Sequence, residues 1–147
     1  MAGPAARLSL VTLGTDDMQR AVRFYESLGF VRKVKATGDE VAFFEAGGVV
    51  LALYGWDKLA QDARLPAEPR PRAFRGVALA WNCSTPDEVD VIIARAVAAG
   101  AKKLKAAERT DWGGYSGYFA DHDDHAWEVA HNPGFRMDND GRLILLD

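Results

Sequence analysis

"TDDMQRAVRFYESLGF", residues 15–30, reads as one amphipathic helix with its own start and stop. Met18, Ala21, Val22, Tyr25 and Leu28 recur at helical spacing and form one apolar stripe. Asp16 with Gln19 three residues on offers a capping pair, and Gly29 supplies the left-handed backbone at which such a helix stops. Just before it, "LSLVTLG" (8–14) is a short apolar strand. After it come three strand-like runs, "FVRKVKA" (30–36), "EVAFFEA" (40–46) and "VVLALYG" (49–55), with turns at Gly38-Asp39 and Gly47-Gly48.

The same order returns in the second half. "GVALAWN" (76–82) is a strand, and "STPDEVDVIIARAVAAGA" (84–101) is a helix. Thr85 and Glu88 have capping-box spacing, Pro86 stands at the first helical position, and Gly100 ends the stripe Val89, Ile92, Ile93, Ala96, Val97. "AKKLKAA", "GGYSGYFAD" and "AWEVAHN" are the following strands. Strand, helix, three strands, twice over, predicts an α+β fold of two tandem βαβββ modules. The expected plan is one domain over 1–147: module one 7–56, linker 57–74, module two 75–132 and tail 133–147. Pro66, Pro69 and Pro71 mark the linker, and "NDG" marks a turn that lets the tail add an edge strand.

Composition narrows the function. The chain is 48% hydrophobic and 27% charged with net charge −3, so it has a globular composition and no basic face for nucleic acid. The short runs "RKVK" and "KKLK" alternate charge with apolar residues as half-exposed strands do. No apolar run approaches the ~18 residues of a membrane span, and the N-terminal residues carry no secretory pattern. Cys83 is the single cysteine, which fits a reducing cytosol. The expected location is cytoplasmic.

With the repeat, "TDDMQRAVRFYESLGF" and "GGYSGYFADHDDHAWEVAHNP" carry a resemblance to the vicinal oxygen chelate superfamily of glyoxalases, bleomycin-resistance proteins and extradiol dioxygenases. The second segment is similar to that group's D-P-D-G-x-x-W-E stretch. The resemblance implies curved sheets forming a cup with helices outside, a small-molecule ligand in the cup, and a homodimer. It also implies four metal positions, which fall near Leu10, Ala52, Val77 and Glu128, of which only Glu128 offers a lone pair to a cation. The expectation is therefore no metal and no cofactor.

All the histidines, His122, His125 and His131, lie in "YFADHDDHAWEVAHN" (118–132). His122 and Asp124 stand where the family pattern has Pro and Gly. The strip reads as a solvated hairpin turn, with adventitious metal at His122 and His125 as the other reading. His131 and Glu128 are three apart on a strand and so face opposite ways.

The expected cup wall comprises Leu10, Thr12, Ala52, Tyr54, Val77, Leu79, Trp81, Ala126, Glu128 and Ala130. Thr12, Tyr54, Trp81, Trp112, Tyr118 and Glu128 are the candidate ligand contacts. Trp112 and Tyr115 flank Gly113-Gly114, where the backbone bends freely. Glu128 is the candidate catalytic residue, since a carboxylate on an apolar face needs a partner and can act as a general base. Cys83 has no histidine placed beside it by the repeat and reads as unreactive. One ring of Phe43-Phe44 points outward as a dimer contact. Three functions follow. The favoured one is metal-independent binding of a small organic molecule, as in the bleomycin-binding branch. The alternative is a glyoxalase-like lyase or isomerase acting on a carbonyl or thiol-conjugate substrate, using Glu128 as base or a metal held by other ligands. The third is a plain interaction module whose cup is filled by side chains.

Overall fold

The computed structural model describes residues 3–147. Helix α1 (Met18–Ser27) is capped by Asp17, whose Oδ1 accepts the Arg20 N–H at 3.0 Å. The cap thus falls one residue after the expected Asp16. The helix closes with Gly29 at φ +98° and a bond from Phe30 N to Tyr25 O. Helix α3 (Pro86–Ala98) has the expected start: Thr85 Oγ1 accepts Glu88 N–H at 3.2 Å, and the Glu88 carboxylate accepts Ser84 N–H at 2.8 Å. Its end copies that of α1, with Gly100 at φ +105° and Ala101 N bonded to Ala96 O.

Strands β1 (Leu10–Thr15), β2 (Val31–Lys33), β3 (Val41–Ala46) and β4 (Val49–Gly55) form one sheet in the order β1-β4-β3-β2. Strands β5 (Ala78–Asn82), β6 (Lys102–Arg109), β7 (Tyr115–Ala120) and β8 (Ala126–His131) form a second in the order β5-β8-β7-β6. In each, the first strand pairs in parallel with the last and the remaining pairs are antiparallel. The repeat read from sequence is therefore a repeat of topology, an α+β fold of two βαβββ units.

Three local readings change. The run 30–36 is a strand only to Lys33, because Val34 takes the left-handed region (φ 52°, ψ 49°) and starts a 3₁₀ turn. A β-branched residue there costs about 1 kcal/mol. Val34 is 62% exposed, so Val34→Asn should raise stability by about that amount, read as an upward shift in the urea midpoint at unchanged slope. Second, helix α2 (Trp56–Asp62) occupies the start of the expected linker. Third, the tail forms a separate hairpin, β9 (Arg136–Met137) with β10 (Leu143–Ile144), instead of an edge strand on either sheet.

The core lies where α1 and α3 meet the sheets. Tyr25, fully buried, has its ring 6.2 Å from Phe44 of the first sheet and 5.9 Å from Trp127 of the second. Leu51 and Leu53 of β4, with Trp127 and Val129 of β8, belong to this core. Side chains alternate along a strand, so Val50, Ala52 and Tyr54, with Ala126, Glu128 and Ala130, face away from the helices. Phe44 is buried, and Phe43 lies on the other face with Ala52.

Candidate functional site

Glu128 lies mid-strand in β8, paired with Ala80 of β5 on one side and Tyr118 of β7 on the other. The Tyr118 hydroxyl donates to Glu128 Oε2 at 3.0 Å. Burial, the bond to the carboxylate and its charge all push the Tyr118 phenol above its ordinary pKa, so it remains a proton donor at neutral pH. By register, Ala78, Ala80, Ser116, Ala120, Ala126 and Ala130 share this face, with Asn82 at the end of β5 and Lys105 of β6 opposite Tyr118. One half-exposed acid–phenol pair thus stands on a floor of small residues. Thr12 pairs with Ala52, and Tyr54 with Val41, on the corresponding face of the first sheet.

Trp81 is not beside Glu128. It pairs with Val129, and its ring packs 5.3 Å from Phe30 on the helix side. Leu79 shares that side, and Val77 precedes the strand with 63% exposure. The expected facing of β5 was out by one residue: Ala78 and Ala80 take the places assigned to Val77, Leu79 and Trp81. Since alanines lie on one face and larger apolar residues on the other, hydrophobicity gave no parity. Trp112 belongs to the turn between β6 and β7, half-exposed and folded over Gly114, where an added Cβ would overlap its ring. Tyr115 donates to Asp90 of α3 at 2.7 Å.

The hairpin strip is an ordered turn. Asp121, 3% exposed, accepts the N–H groups of Asp123 and His125 on Oδ1, each at 2.9 Å, and the Tyr25 hydroxyl on Oδ2 at 2.6 Å. Trp127 Nε1 donates to the same Tyr25 oxygen at 3.1 Å. Asp124 takes φ +65°, the conformation a glycine would otherwise supply. His122 sits edge-on to Phe24, 5.5 Å away. His125 stacks on Trp56 at 5.8 Å, with Nε2 at 2.8 Å from the Gly14 carbonyl and Nδ1 at 3.2 Å from the Arg75 guanidinium. Nε2 therefore donates and Nδ1 accepts. His131 Nδ1 meets the Cys83 carbonyl at 3.1 Å.

These environments decide how the donor set fits a metal. Among the described residues no three His, Cys, Asp or Glu side chains are grouped to hold an ion. Glu128 is flanked by Ala80 and Tyr118, and the matching face of the first sheet offers Leu10, Thr12, Val50, Ala52 and Tyr54, with one carboxylate, Glu45, exposed and paired with Lys33 at 3.9 Å. A second copy would bring the same residues. A divalent site wants three or four such donors, so the residues present do not fit the family's metal. Cys83 is buried, and burial, then the nearby Glu88 charge, push its thiol up to about 11, so it is no nucleophile at neutral pH.

Sequence reasoning missed two cavities, both lined by Val11 of the edge strand β1 and Leu79 of the edge strand β5. One, about 660 Å³, lies between the β3–β4 hairpin and the end of β5, with Phe30, Trp81 and Trp127 in its wall. The other, about 620 Å³, lies between the β7–β8 hairpin and the end of β1, under α2 and the linker. Neither includes Glu128. The signal for the second was "RPRAFR" (70–75) after Trp56, a basic and aromatic run that reads as linker only if charge is ignored.

Comparison with known proteins supports one family. The model of the Glyoxalase/Bleomycin resistance protein/Dioxygenase superfamily matches residues 7–129. A glyoxalase-related enzyme from Fulvimarina pelagi is 33% identical, with TM-score 0.87, covering 97% of this chain and 100% of that one. A lactoylglutathione lyase from Agrobacterium tumefaciens is 25% identical, with TM-score 0.66, covering 90% of this chain and 100% of that one. A fosfomycin resistance protein from Listeria monocytogenes shares the fold at 22% identity and TM-score 0.66, with 89% and 97% covered. No curated protein matches. Two βαβββ units in matching strand order, with the family match across both, place the chain in the Glyoxalase/Bleomycin resistance protein/Dioxygenase superfamily.

Proposed function

We propose that the protein binds a small organic molecule on the sheet face carrying the Tyr118–Glu128 pair, without a metal, and that a second copy of the chain closes the cup over it. The observation that carries this reading is the pair itself. A carboxylate bonded to a phenol at 3.0 Å, beside Ala78, Ala80, Ala126 and Ala130 and with Ser116, Asn82 and Lys105 toward the edges of the same face, is a polar anchor on a mostly small-residue surface. Thr12 and Tyr54, on the matching face of the other sheet, are the remaining contacts, and Phe43 is the dimer contact. Of the other candidates, Trp81 packs on the helix side against Phe30 and walls the cavity of about 660 Å³ instead of the face that carries Glu128. Trp112, at the half-exposed turn, is a rim contact. A cytosolic location is supported by the single buried cysteine; among the described residues no helix is long and apolar enough to cross a membrane.

A second reading is favoured by the relatives' names, glyoxalase-related enzyme and lactoylglutathione lyase. In it Glu128 is a general base that takes a proton beside a carbonyl, with the Tyr118 hydroxyl hydrogen-bonding its carboxylate. One set of measurements tests both. Native mass spectrometry and a thermal-shift panel of carbonyl-bearing and aromatic metabolites should yield a ligand that binds about tenfold weaker to Glu128→Gln, the loss of one charge-assisted bond. Turnover of the methylglyoxal–glutathione adduct that vanishes in Glu128→Gln selects the catalytic reading. One equivalent of tightly held metal per chain, lost in Glu128→Gln, would end the metal-free one.

A further inference from the structure

The cavity under α2 and the linker has a chemistry of its own. Its mouth is apolar: Leu65, Phe74, Val77 and Leu104 are 65%, 75%, 63% and 53% exposed, and all line it. Four large apolar side chains left in water around one cavity of about 620 Å³ are an unusual concentration, of the kind that marks a binding site. Its charge is one-sided. Arg72 and Arg75 line it, and among the described residues neither pairs with a carboxylate. Among the described residues Arg75 meets the Asp123 carbonyl at 2.7 Å, His125 Nδ1 at 3.2 Å and the face of Trp56 at 4.8 Å, and no carboxylate. The one acid in the wall, Asp124, is neutralised by Lys102 at 2.6 Å. The neighbouring Arg70, by contrast, is saturated by Asp16, Asp57 and Glu68, which pins the linker to α2 and to the end of β1.

We infer that this cavity is a binding site for an amphipathic organic anion, a carboxylate with an aliphatic body. The body lies against Leu59, Ala60, Leu65 and Phe74, and the head group meets the guanidinium groups of Arg72 and Arg75. Burial of the body supplies the affinity, at about 0.8 kcal/mol per CH₂. The charge selects the head, because an alcohol of the same length gains no charge-assisted bond. Glu128 and Tyr118 lie outside the wall, while Thr12 and Ala126 border both places, so substitution of Glu128 separates this site from the one in the proposed function.

Titration calorimetry with octanoate and with 1-octanol tests this. Saturable binding of one octanoate per chain is expected, with 1-octanol about tenfold weaker. Arg72 is exposed, so Arg72→Gln keeps the fold; it should weaken octanoate about tenfold and leave octanol unchanged. Ala60→Trp fills the cavity and should abolish both, with circular dichroism to check folding, whereas Glu128→Gln should bind octanoate as the parent does. Absence of saturable binding, equal affinity for acid and alcohol, an unaltered affinity in Arg72→Gln or in folded Ala60→Trp, or a loss in Glu128→Gln would overturn the assignment.

Discussion

Replacing Asp121 with alanine is expected to lower the melting temperature by about 10 °C, the effect of about 3–4 kcal/mol in a domain of this size. Three donors converge on this carboxylate: the hydroxyl of fully buried Tyr25 and the N–H groups of Asp123 and His125. Each buried donor left unsatisfied costs about 1–3 kcal/mol, and the two amides, closer to solvent, fall at the low end. Tyr25→Phe removes the first bond and also the acceptor of Trp127 Nε1, leaves both turn bonds in place, and should cost about 2 kcal/mol. A loss in Asp121→Ala smaller than that in Tyr25→Phe would mean that the turn bonds contribute little.

The same residue sets the alkaline limit. Burial, then the Asp121 charge and its hydrogen bond, hold the Tyr25 phenol well above its ordinary pKa of about 10. The folded chain keeps this proton where the unfolded chain has lost it. The stabilisation is complete below about pH 10 and disappears as pH rises toward the folded value. Cys83, with its thiol at about 11, adds a smaller loss that begins near pH 9. Stability of the parent should therefore fall more steeply between about pH 9 and 11 than that of Tyr25→Phe.

Gly117→Val should be more damaging still, leaving little soluble protein. The reason is close approach: a Cβ on Gly117 would stand 2.7 Å from Ile93 Cδ1 and 2.9 Å from the backbone N and Cα of Ala107. The isoleucine tip can rotate away, but the backbone of β6, which already carries register shifts on either side of Lys105, has to move. Even Gly117→Ala is expected to cost about 3 kcal/mol, the upper range for overpacking. Combining it with Ile93→Ala should recover only part of that loss, measured by urea unfolding. Full recovery would show that β6 yields easily and that the backbone contact is unimportant.

Much of the fold was legible because its cues are local. The Thr85–Glu88 capping pair, the two terminal glycines and the stripes of α1 and α3 each depend on residues within a turn or two of each other. Where the reading slipped, local cues were balanced or overridden. Asp16 and Asp17 are chemically equal caps, and the choice fell to Arg70, fifty-four positions away, which engages Asp16. Strand β5 is apolar on both faces, so its parity was set by pairing Ala80 with Glu128, a contact between distant segments. Val34 reads as a strand residue until its backbone is seen in the left-handed region. For the site, Glu128 stood out as a carboxylate on an apolar strand, and Tyr118 was named with it, although their bond needed the β7–β8 register. The cavity beneath α2 was hidden because a proline-rich run reads as a tether, and only its folding against β1 turns Arg72, Phe74 and Arg75 into walls.

The Tyr25–Asp121–Trp127 bonds have no mirror image in the repeat. Counting eight residues from each cap, Ile93 holds in α3 the place that Tyr25 holds in α1, and an isoleucine has no hydroxyl to reach across. The duplicated halves have thus become a key and a keyhole instead of two equal copies. A gene that fused the first half to itself would present two keys and nothing to receive them, and ancestry by duplication no longer implies that the parts are interchangeable.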